Sequence, residues 1–264
     1  GIAGASAAAQ LSSYCNVLVL ERESAAGYHA TGRSAAAFAP AYGNEVVRNL
    51  TAAAEKFYTQ PPEGFSECAL LRPRDSVFIA NHNQQSVLSS MLDESSHLTS
   101  LSSAELVTRV PILNGAKLKG GAIDTTSGDL DVDAILQGFL RRFRNNGGQL
   151  VFNKAVRQLA RKNAVWQVSC DDGIFTAPIV VNAAGAWADH IATIAGANAV
   201  SVIPYRRSAL LVDAPAEMDI KDWPLIIDAE ENFYFKPEAG QLLISPADET
   251  ESGNASHASD SVSY

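Results

Sequence analysis

The 264-residue sequence lacks the features that mark several large classes of protein. It has three cysteines, an odd number, and they lie far apart at Cys15, Cys68 and Cys170. A disulfide framework is therefore not expected, and this cysteine usage fits a reducing, cytoplasmic setting. No run of about 18 consecutive apolar residues is present, so the sequence predicts no transmembrane helix.

Positive charge is also scarce. The 20 Lys and Arg residues against 29 Asp and Glu residues give a formal net charge of −9. Because no basic stripe is present, nucleic acid and anionic membrane surfaces are not expected partners. The histidines have no metal-ligand spacing, and no metal site is expected. They are His29, His82, His97, His190 and His257.

Hydrophobic residues, at 47% of the chain, are abundant enough for a large core. The patterns predict helices over 5–13, 44–60, 103–109, 132–146 and 187–195. They predict strands over 16–20, 76–80, 149–153, 165–170, 175–182, 208–212, 232–236 and 241–245. The order predicts an α/β chain (α+β overall): a Rossmann-like parallel sheet that binds a nucleotide, with a mainly antiparallel substrate-binding region laid on it.

The opening stretch GIAGASAAAQLSSYCNVLVLE has the pattern of a dinucleotide-binding turn. Gly1 and Gly4 open a predicted helix, an apolar strand follows, and Glu21 ends it 17 positions after Gly4 (21 − 4). This spacing places an acid on the ribose hydroxyls and disfavours a 2′-phosphate, hence NADP. The glycines would let the backbone approach a pyrophosphate at the helix N-terminus. The alternative is a glycine-containing helix start without a ligand.

The next segment, residues 21–43, bears on the choice between FAD and NAD. It is a loop punctuated by glycines and rich in small residues, and it carries Thr31, Gly32, Arg33 and Ser34. Small residues with free backbone donors suit a flat isoalloxazine ring and a pyrophosphate, which favours FAD. The alternative is a merely flexible loop.

Several stretches together resemble the D-amino-acid oxidase superfamily of FAD enzymes: GIAG, the strand ending in Glu21-Arg22, GYHATGRSAA and VNAAGAWAD. Within it, GYHATGRSAA, AYGNEVVRNLTAA, PYRRSALLV and NFYFKPEAGQLLISPA resemble the D-arginine dehydrogenase branch. The likeness extends to about Ala247. It implies a first strand before Gly1 and a further C-terminal part, so we expect the chain to be truncated at both ends.

The resemblance implies FAD as cofactor and assigns contacts to it. Gly1 and Gly4 would hold the pyrophosphate and Glu21 the adenosine ribose. The residues along the cofactor and flavin would be Arg22, Thr31, Arg33, Ser34, Ala35 and Ala36. The later contacts would be Val156 near the adenine, then Ala183, Ala184 and Gly185, with Trp187 beside them. A plain core position is the alternative for Trp187.

On the substrate side, the resemblance implies three residues. Tyr42 would lie on a loop over the active site, Arg207 would face the substrate carboxylate, and Tyr234 would line the pocket. A guanidinium pairs with a carboxylate through two charge-assisted hydrogen bonds, but Arg206 could fill the same role. Core packing or a solvent-facing phenol is the alternative for Tyr234.

The implied reaction is oxidation of the CH–NH2 group of a D-amino acid to an imino acid, by hydride transfer to the flavin, giving a 2-oxo acid and ammonia. The electron acceptor is open. Ser76 stands where a glutamate would suit a guanidinium tail, and Ala37 where a histidine would face the flavin, which weakens arginine as the substrate. The alternatives are a glycine or sarcosine type of secondary-amine oxidase and a non-catalytic truncated fragment.

The expected organisation is discontinuous. Residues 1–75 and 148–200 would form the FAD-binding domain, with its first strand missing. Residues 76–147 and 201–248 would form the substrate-binding region. The polar, Ser-rich residues 249–264 cannot bury enough apolar area to order themselves, and we expect a disordered tail.

Overall fold

The structure, a computed structural model, describes residues 1–252. The α-helices are α1 Ile2–Leu11, α2 Glu45–Thr59, α3 Gln85–Glu94, α4 Ser103–Arg109, α5 Val132–Asn145 and α6 Ala188–Ile194. The strands are β1 Leu18–Leu20, β2 Ala37–Phe38, β3 Leu71–Pro73, β4 Ser76–Asn81, β5 Leu98–Leu101, β6 Leu118–Asp124, β7 Gly128–Leu130, β8 Gln149–Val151, β9 Val156–Lys162, β10 Val165–Cys170, β11 Gly173–Ala177, β12 Tyr205–Arg206, β13 Leu210–Val212, β14 Leu225–Asp228, β15 Tyr234–Glu238, β16 Gln241–Ser245 and β17 Thr250–Glu251.

Side-chain caps fix the starts of two helices that the sequence predicts, α2 and α5. The Asn44 side chain accepts a hydrogen bond from the Val47 N–H at 3.1 Å at the start of α2. The Asp131 carboxylate accepts one from the Ala134 N–H at 2.8 Å at the start of α5. These polar side chains satisfy amide groups that the helix itself leaves without partners, so each helix begins where the cap stands.

The largest sheet has seven strands in the order β13-β16-β15-β14-β4-β6-β5. All neighbours are antiparallel except β14 and β4, which are parallel. Val77, Ile79 and Ile226 are buried on one face of it. The predicted fold class, mixed α/β with a mainly antiparallel region, is confirmed. The prediction missed β6, whose Gly120-Gly121 pair weakens its strand pattern.

The second part of the fold contains a parallel pair, β1 and β8, with Leu18 opposite Gln149. Helices α1 and α5 cover it: Ala8 and Phe143 are buried together with Leu150 packed against them. Helix α5 thus packs on the opening helix, although the expected boundaries assign residues 132–145 to the substrate-binding region. The domain boundaries themselves stay a prediction.

The strand predicted over 16–20 is a nearly all-apolar run, a pattern that predicts burial on both faces, and the structure shows that this prediction is wrong. Leu18 is 40% exposed. Within residues 1–252, β8 is the one ladder partner of β1, so the described sheet here has only two strands.

The predicted strand over 175–182 is shorter than expected. Strand β11 ends at Ala177, the last residue paired with β10. Pro178 follows, and it has no N–H to continue the ladder. Beyond it, Ile179 and Val181 are exposed.

The chain remains ordered past Glu249, where disorder was expected to begin. Thr250 and Glu251 form β17, which pairs antiparallel with β12, and the Ser252 N–H donates to the Pro204 carbonyl at 2.9 Å. Backbone hydrogen bonds thus order a stretch without apolar burial. Residues 253–264 of the expected tail lie outside the described residues. In the described part, every helix is too short or too polar to cross a membrane, and a cytoplasmic location stays a prediction.

Candidate active site

Four predicted cofactor segments meet at the first turn of α1. Gly1 is the N-terminal cap residue, and the Ile2 N–H donates to the Thr31 hydroxyl at 3.0 Å. The Glu21 carboxylate lies 3.5 Å from the Gly1 nitrogen. A Cβ placed on Gly4 would lie 3.7 Å from that of Ala183. The positive end of the helix dipole is therefore surrounded by small residues, a hydroxyl and one carboxylate.

The loop after Glu21 closes on itself through glycine. The Gly32 N–H donates to the Gly27 carbonyl at 2.7 Å. A Cβ on Gly32 would lie 2.6 Å from that oxygen, so a larger residue cannot take this turn. The Arg33 guanidinium lies over the Tyr28 ring, 5.1 Å from its centroid.

Ala36 ends this loop in a left-handed backbone conformation, with a φ of 55°. Its N–H donates to the Ser34 hydroxyl at 2.9 Å, and its carbonyl accepts from the Leu130 N–H at 2.7 Å. Ala35 lies between Ser34 and Ala36. Strained backbone of this kind in a non-glycine residue is concentrated at ligand sites.

Arg22 and Trp187 belong to a cluster that also contains two residues the sequence analysis did not assign. The Arg22 guanidinium lies 4.5 Å from the Trp187 ring centroid, and the His29 ring lies 4.7 Å from it. Glu23 joins them, with its carboxylate 2.9 Å from Arg22 Nε and 2.8 Å from His29 Nε2. Trp187 therefore contacts a guanidinium group and an imidazole ring. Glu23 lies two positions after Glu21, the acid that ends the predicted strand, and this place in the sequence was the signal for it.

The remaining predicted cofactor residues flank this cluster. Val156 begins β9, and the nearby Lys154 N–H donates to the Glu21 carbonyl at 2.9 Å. The Ala184 N–H donates to the Asn182 side chain at 3.3 Å. Gly185, with a φ of 56°, starts the short 3₁₀ helix Gly185–Trp187. No described contact ties Val156 to the first turn of α1.

The three predicted substrate residues come together from distant parts of the chain. Tyr42 and Tyr234 pack against the same buried cluster, which contains Phe78 and Ile227. Burial raises the pKa of the Tyr42 phenol above its ordinary value. The pKa of the Arg207 guanidinium is also raised, first by its hydrogen bond with Tyr42. Tyr42 and Tyr234 thus share one cluster, and Arg207 lies close enough to Tyr42 to affect its pKa. Their roles at a substrate site stay a prediction.

Two carboxylates beside this group were missed. Glu249 accepts a hydrogen bond from Arg207 at 2.6 Å, and its side chain is 66% exposed. Glu231 contributes to the raised pKa of Tyr42 after burial, and its backbone is left-handed with a φ of 60°. The Asp228 carboxylate holds this turn by accepting bonds from the Glu230 and Asn232 N–H groups at 3.2 and 3.3 Å. The spacing of Asp228 and Asn232 is the signal that could have predicted the turn.

A cavity of about 120 Å³ lies beside the Tyr42 loop. Its walls combine apolar groups with two carboxylates and one guanidinium. They are formed by Ala41, Gly43, Arg48, Met91, Glu94, Ser95, Leu98, Ala229 and Glu231. The two residues that depart from the resembled branch lie elsewhere: Ser76 is buried in β4 and Ala37 lies in β2.

The fold and the glycine-marked end of α1 together define a mixed α/β protein that can hold a dinucleotide. The chain belongs to the DAO family of FAD dependent oxidoreductases, which matches residues 1–263. The superfamily predicted from the sequence is confirmed, and FAD is the cofactor of this family.

Several known proteins are similar to the chain at low identity. Mitochondrial dimethylglycine dehydrogenase from Homo sapiens is 26% identical over 144 residues, which are 53% of this chain and 16% of that protein. The match thus spans less than a fifth of that relative's length. Glycine oxidase from Geobacillus kaustophilus superposes with a TM-score of 0.80 at 18% identity, over 95% of this chain and 70% of that one. L-α-glycerophosphate oxidase from Mycoplasma pneumoniae, solved with FAD bound, superposes with a TM-score of 0.78 at 15% identity, over 93% of this chain and 68% of that one.

The residues at the start of α1 fit FAD. A helix N-terminus suits the pyrophosphate, and the Glu21 carboxylate, 3.5 Å from the Gly1 nitrogen, suits a ribose hydroxyl. The close Gly27–Gly32 turn lets the backbone approach a flat ring system. This arrangement supports the cofactor contacts that the resemblance implies, and those contacts remain a proposal.

Proposed function

We propose that the protein oxidises the CH–NH2 group of a D-amino acid to an imino acid, which water then converts to a 2-oxo acid and ammonia. FAD, when bound, accepts the hydride from the substrate Cα. The observation that carries the proposal is the grouping of Tyr42, Arg207 and Tyr234, three residues far apart in the chain. The D-configuration rests on the resemblance of four stretches to the D-arginine dehydrogenase branch.

In this proposal, Arg207 binds the substrate carboxylate. Its guanidinium already holds one carboxylate, that of Glu249, at 2.6 Å in an exposed ion pair. Exposed ion pairs are worth about 0–1 kcal/mol, so a substrate carboxylate with two parallel hydrogen bonds can replace it.

Tyr42 orients and shields the substrate. Because burial raises its pKa, the phenol stays protonated at neutral pH and can donate a hydrogen bond to the bound carboxylate. Tyr234 packs beside it and forms a wall of the pocket. No side chain needs to act as an essential base, since a neutral substrate amine suffices.

The substrate side chain is proposed to be small or apolar. The support is Ser76, which stands where the resembled branch has a glutamate suited to a cationic tail. This supports substrates such as D-alanine or D-methionine over D-arginine. The electron acceptor is left open between dioxygen and a quinone.

The second candidate is a secondary-amine oxidase of the glycine or sarcosine type. The observation that favours it is the match with dimethylglycine dehydrogenase, a protein named for an N-methylated amine acid. The third alternative, a non-catalytic fragment, predicts a protein that does not take up FAD.

The test is an absorption spectrum of the purified protein, followed by an anaerobic panel of D-amino acids, their L-forms, glycine and sarcosine. The proposal predicts flavin bands near roughly 370 and 450 nm that bleach with D- but not L-amino acids. Bleaching by sarcosine and glycine alone would support the second candidate. A colourless protein that also fails to take up added FAD would support the third.

A further inference from the structure

Lys236 is a buried cation for which the proposed reaction has no use. Its side chain is 1% exposed, and its Nζ lies 2.8 Å from Asp129 Oδ1 and 2.9 Å from Glu238 Oε2. A buried charge is costly unless it is paired and hydrogen-bonded. The two carboxylates therefore hold the ammonium group at a fixed place.

Asp129 connects this ammonium to a second cation. Its Oδ2 accepts a hydrogen bond from Arg74 Nε at 2.5 Å. The same guanidinium donates through Nη1 to the Trp223 carbonyl at 2.5 Å. The network thus joins β15, β7 and the residue that follows β3. Each of its charges has a partner of opposite sign.

The strand that carries Asp129 also holds the predicted flavin-side segment. Asp129 is paired with Ala37 in the β2–β7 ladder. The next residue, Leu130, donates its N–H to the carbonyl of Ala36, which has the left-handed conformation. The position of Asp129 therefore controls the position of Ala36 and Ala37.

The strand that carries Lys236 also carries the predicted pocket tyrosine. Tyr234 lies two residues earlier on β15, and residues two apart on a strand point to the same face. The Lys236–Asp129 bond is thus a direct side-chain link between the segment expected beside the flavin and the strand expected beside the substrate.

We propose that Lys236 is a positioning residue: through Asp129 it fixes the spacing between Ala36–Ala37 on the cofactor side and Tyr234 on the substrate side. This inference rests on the proposed function. Hydride transfer depends steeply on the distance and alignment of the reacting atoms, and a displacement of about 1 Å can cost about 100-fold in rate. Neither residue of the pair touches the reacting atoms in this account.

The test uses Lys236→Met, which keeps the length of the side chain and removes its charge, in the FAD-bound protein. The limiting rate of anaerobic flavin reduction by the best D-amino acid should fall by about 30- to 100-fold. The apparent Kd should change by less than about threefold, because Arg207, the proposed anchor, lies outside the network. The control is Lys119→Met, the same change at an exposed position on β6 of the same sheet, and it should leave both values unchanged.

A double-mutant cycle with Tyr234→Phe separates positioning from general loss of stability. Positioning predicts that the two changes are strongly non-additive in the reduction rate, whereas an unrelated structural role predicts additive effects. Additive effects, or an unchanged rate in Lys236→Met, would overturn the proposal. If Lys236→Met does not fold, Asp129→Asn removes the charge from the other side of the same link. The limiting reduction rate and the double-mutant cycle with Tyr234→Phe are then measured in that variant. A wild-type flavin that no amine reduces overturns the proposed function itself, which is a distinct result.

Discussion

On the cofactor side of the candidate site, most of the predicted contacts fall within residues 1–36, and backbone hydrogen bonds hold them. An example is the bond from the Gly32 N–H to the Gly27 carbonyl. The Ile2 N–H adds a bond to a side chain, the Thr31 hydroxyl. On the substrate side, Tyr42, Arg207 and Tyr234 come from three distant segments and meet through their side chains. The first kind of site is encoded locally, whereas the second exists only once the large sheet has formed.

The two sides also differ in burial. Ile226 in the seven-stranded sheet is fully buried, whereas Leu18 in the parallel pair is 40% exposed. The substrate side therefore has a core of its own. The cofactor side also has buried residues, such as Ala9 and Phe143, but its parallel strand pair is partly exposed. Bound FAD is expected to add to its stability by binding the folded state.

The largest expected effect tests the difference in burial between the two sides. Ile226→Ala leaves a cavity in the sheet core and should lower the free energy of unfolding by about 2–5 kcal/mol. Leu18→Ala removes a half-exposed side chain and should cost less than about 1 kcal/mol. Urea unfolding of the FAD-saturated proteins, followed by circular dichroism, measures both. Equal losses would show that the two sides are equally packed.

The next effect tests whether the two sides bind different ligands, FAD on the cofactor side and the amino acid on the substrate side. Glu21→Gln removes the carboxylate at the start of α1 and should raise the Kd for FAD about tenfold, the worth of one charge-assisted hydrogen bond. The apparent Kd of a D-amino acid should not change. Fluorescence titration of the apoprotein with FAD measures the first value. Glu63→Gln, in an exposed loop after α2, is the control and should leave both values alone.

The smallest effect is a pH dependence on the substrate side. Burial raises the pKa of Tyr42, so its phenol stays protonated to a higher pH than a free tyrosine does. The Kd of a carboxylate without an amine, such as benzoate, should therefore stay flat to above about pH 10. It should then rise about threefold as the phenol ionises and stops donating its hydrogen bond.

Two variants assign this change to its residue. Tyr42→Phe should bind benzoate more weakly at neutral pH and lack the alkaline rise. Tyr58→Phe removes another phenol whose pKa is raised by burial, and it should keep the rise. An alkaline rise that persists in Tyr42→Phe would contradict the role given to Tyr42.

The predictions on the cofactor side rest on local signals. The spacing of Gly4 and Glu21, and the small residues after it, depend on short stretches of chain that the physics of a helix N-terminus explains. Asn44 and Asp131, which cap two helices in the structure, are local signals of the same kind.

The missed features depend on contacts between distant segments. Nothing near Lys236 in the sequence indicates Asp129, which is 107 positions away. Glu249 meets Arg207 because β17 pairs with β12, and the polar composition of the tail gave no strand signal. Strand β6 was missed because Gly120 and Gly121 weaken its strand pattern in the sequence. In the structure, its pairing with β4 and β5 defines it as a strand.

The measurement that tests the central claim most directly is anaerobic flavin reduction by a D-amino acid in Arg207→Met and Arg206→Met. The account predicts that the wild-type flavin bleaches with the D- but not the L-form. Arg207→Met should raise the apparent Kd by about 30- to 100-fold, the worth of two charge-assisted hydrogen bonds, and Arg206→Met by less than about threefold. Equal effects of the two variants, or a larger effect of Arg206→Met, would contradict the assembly of the substrate site around Arg207.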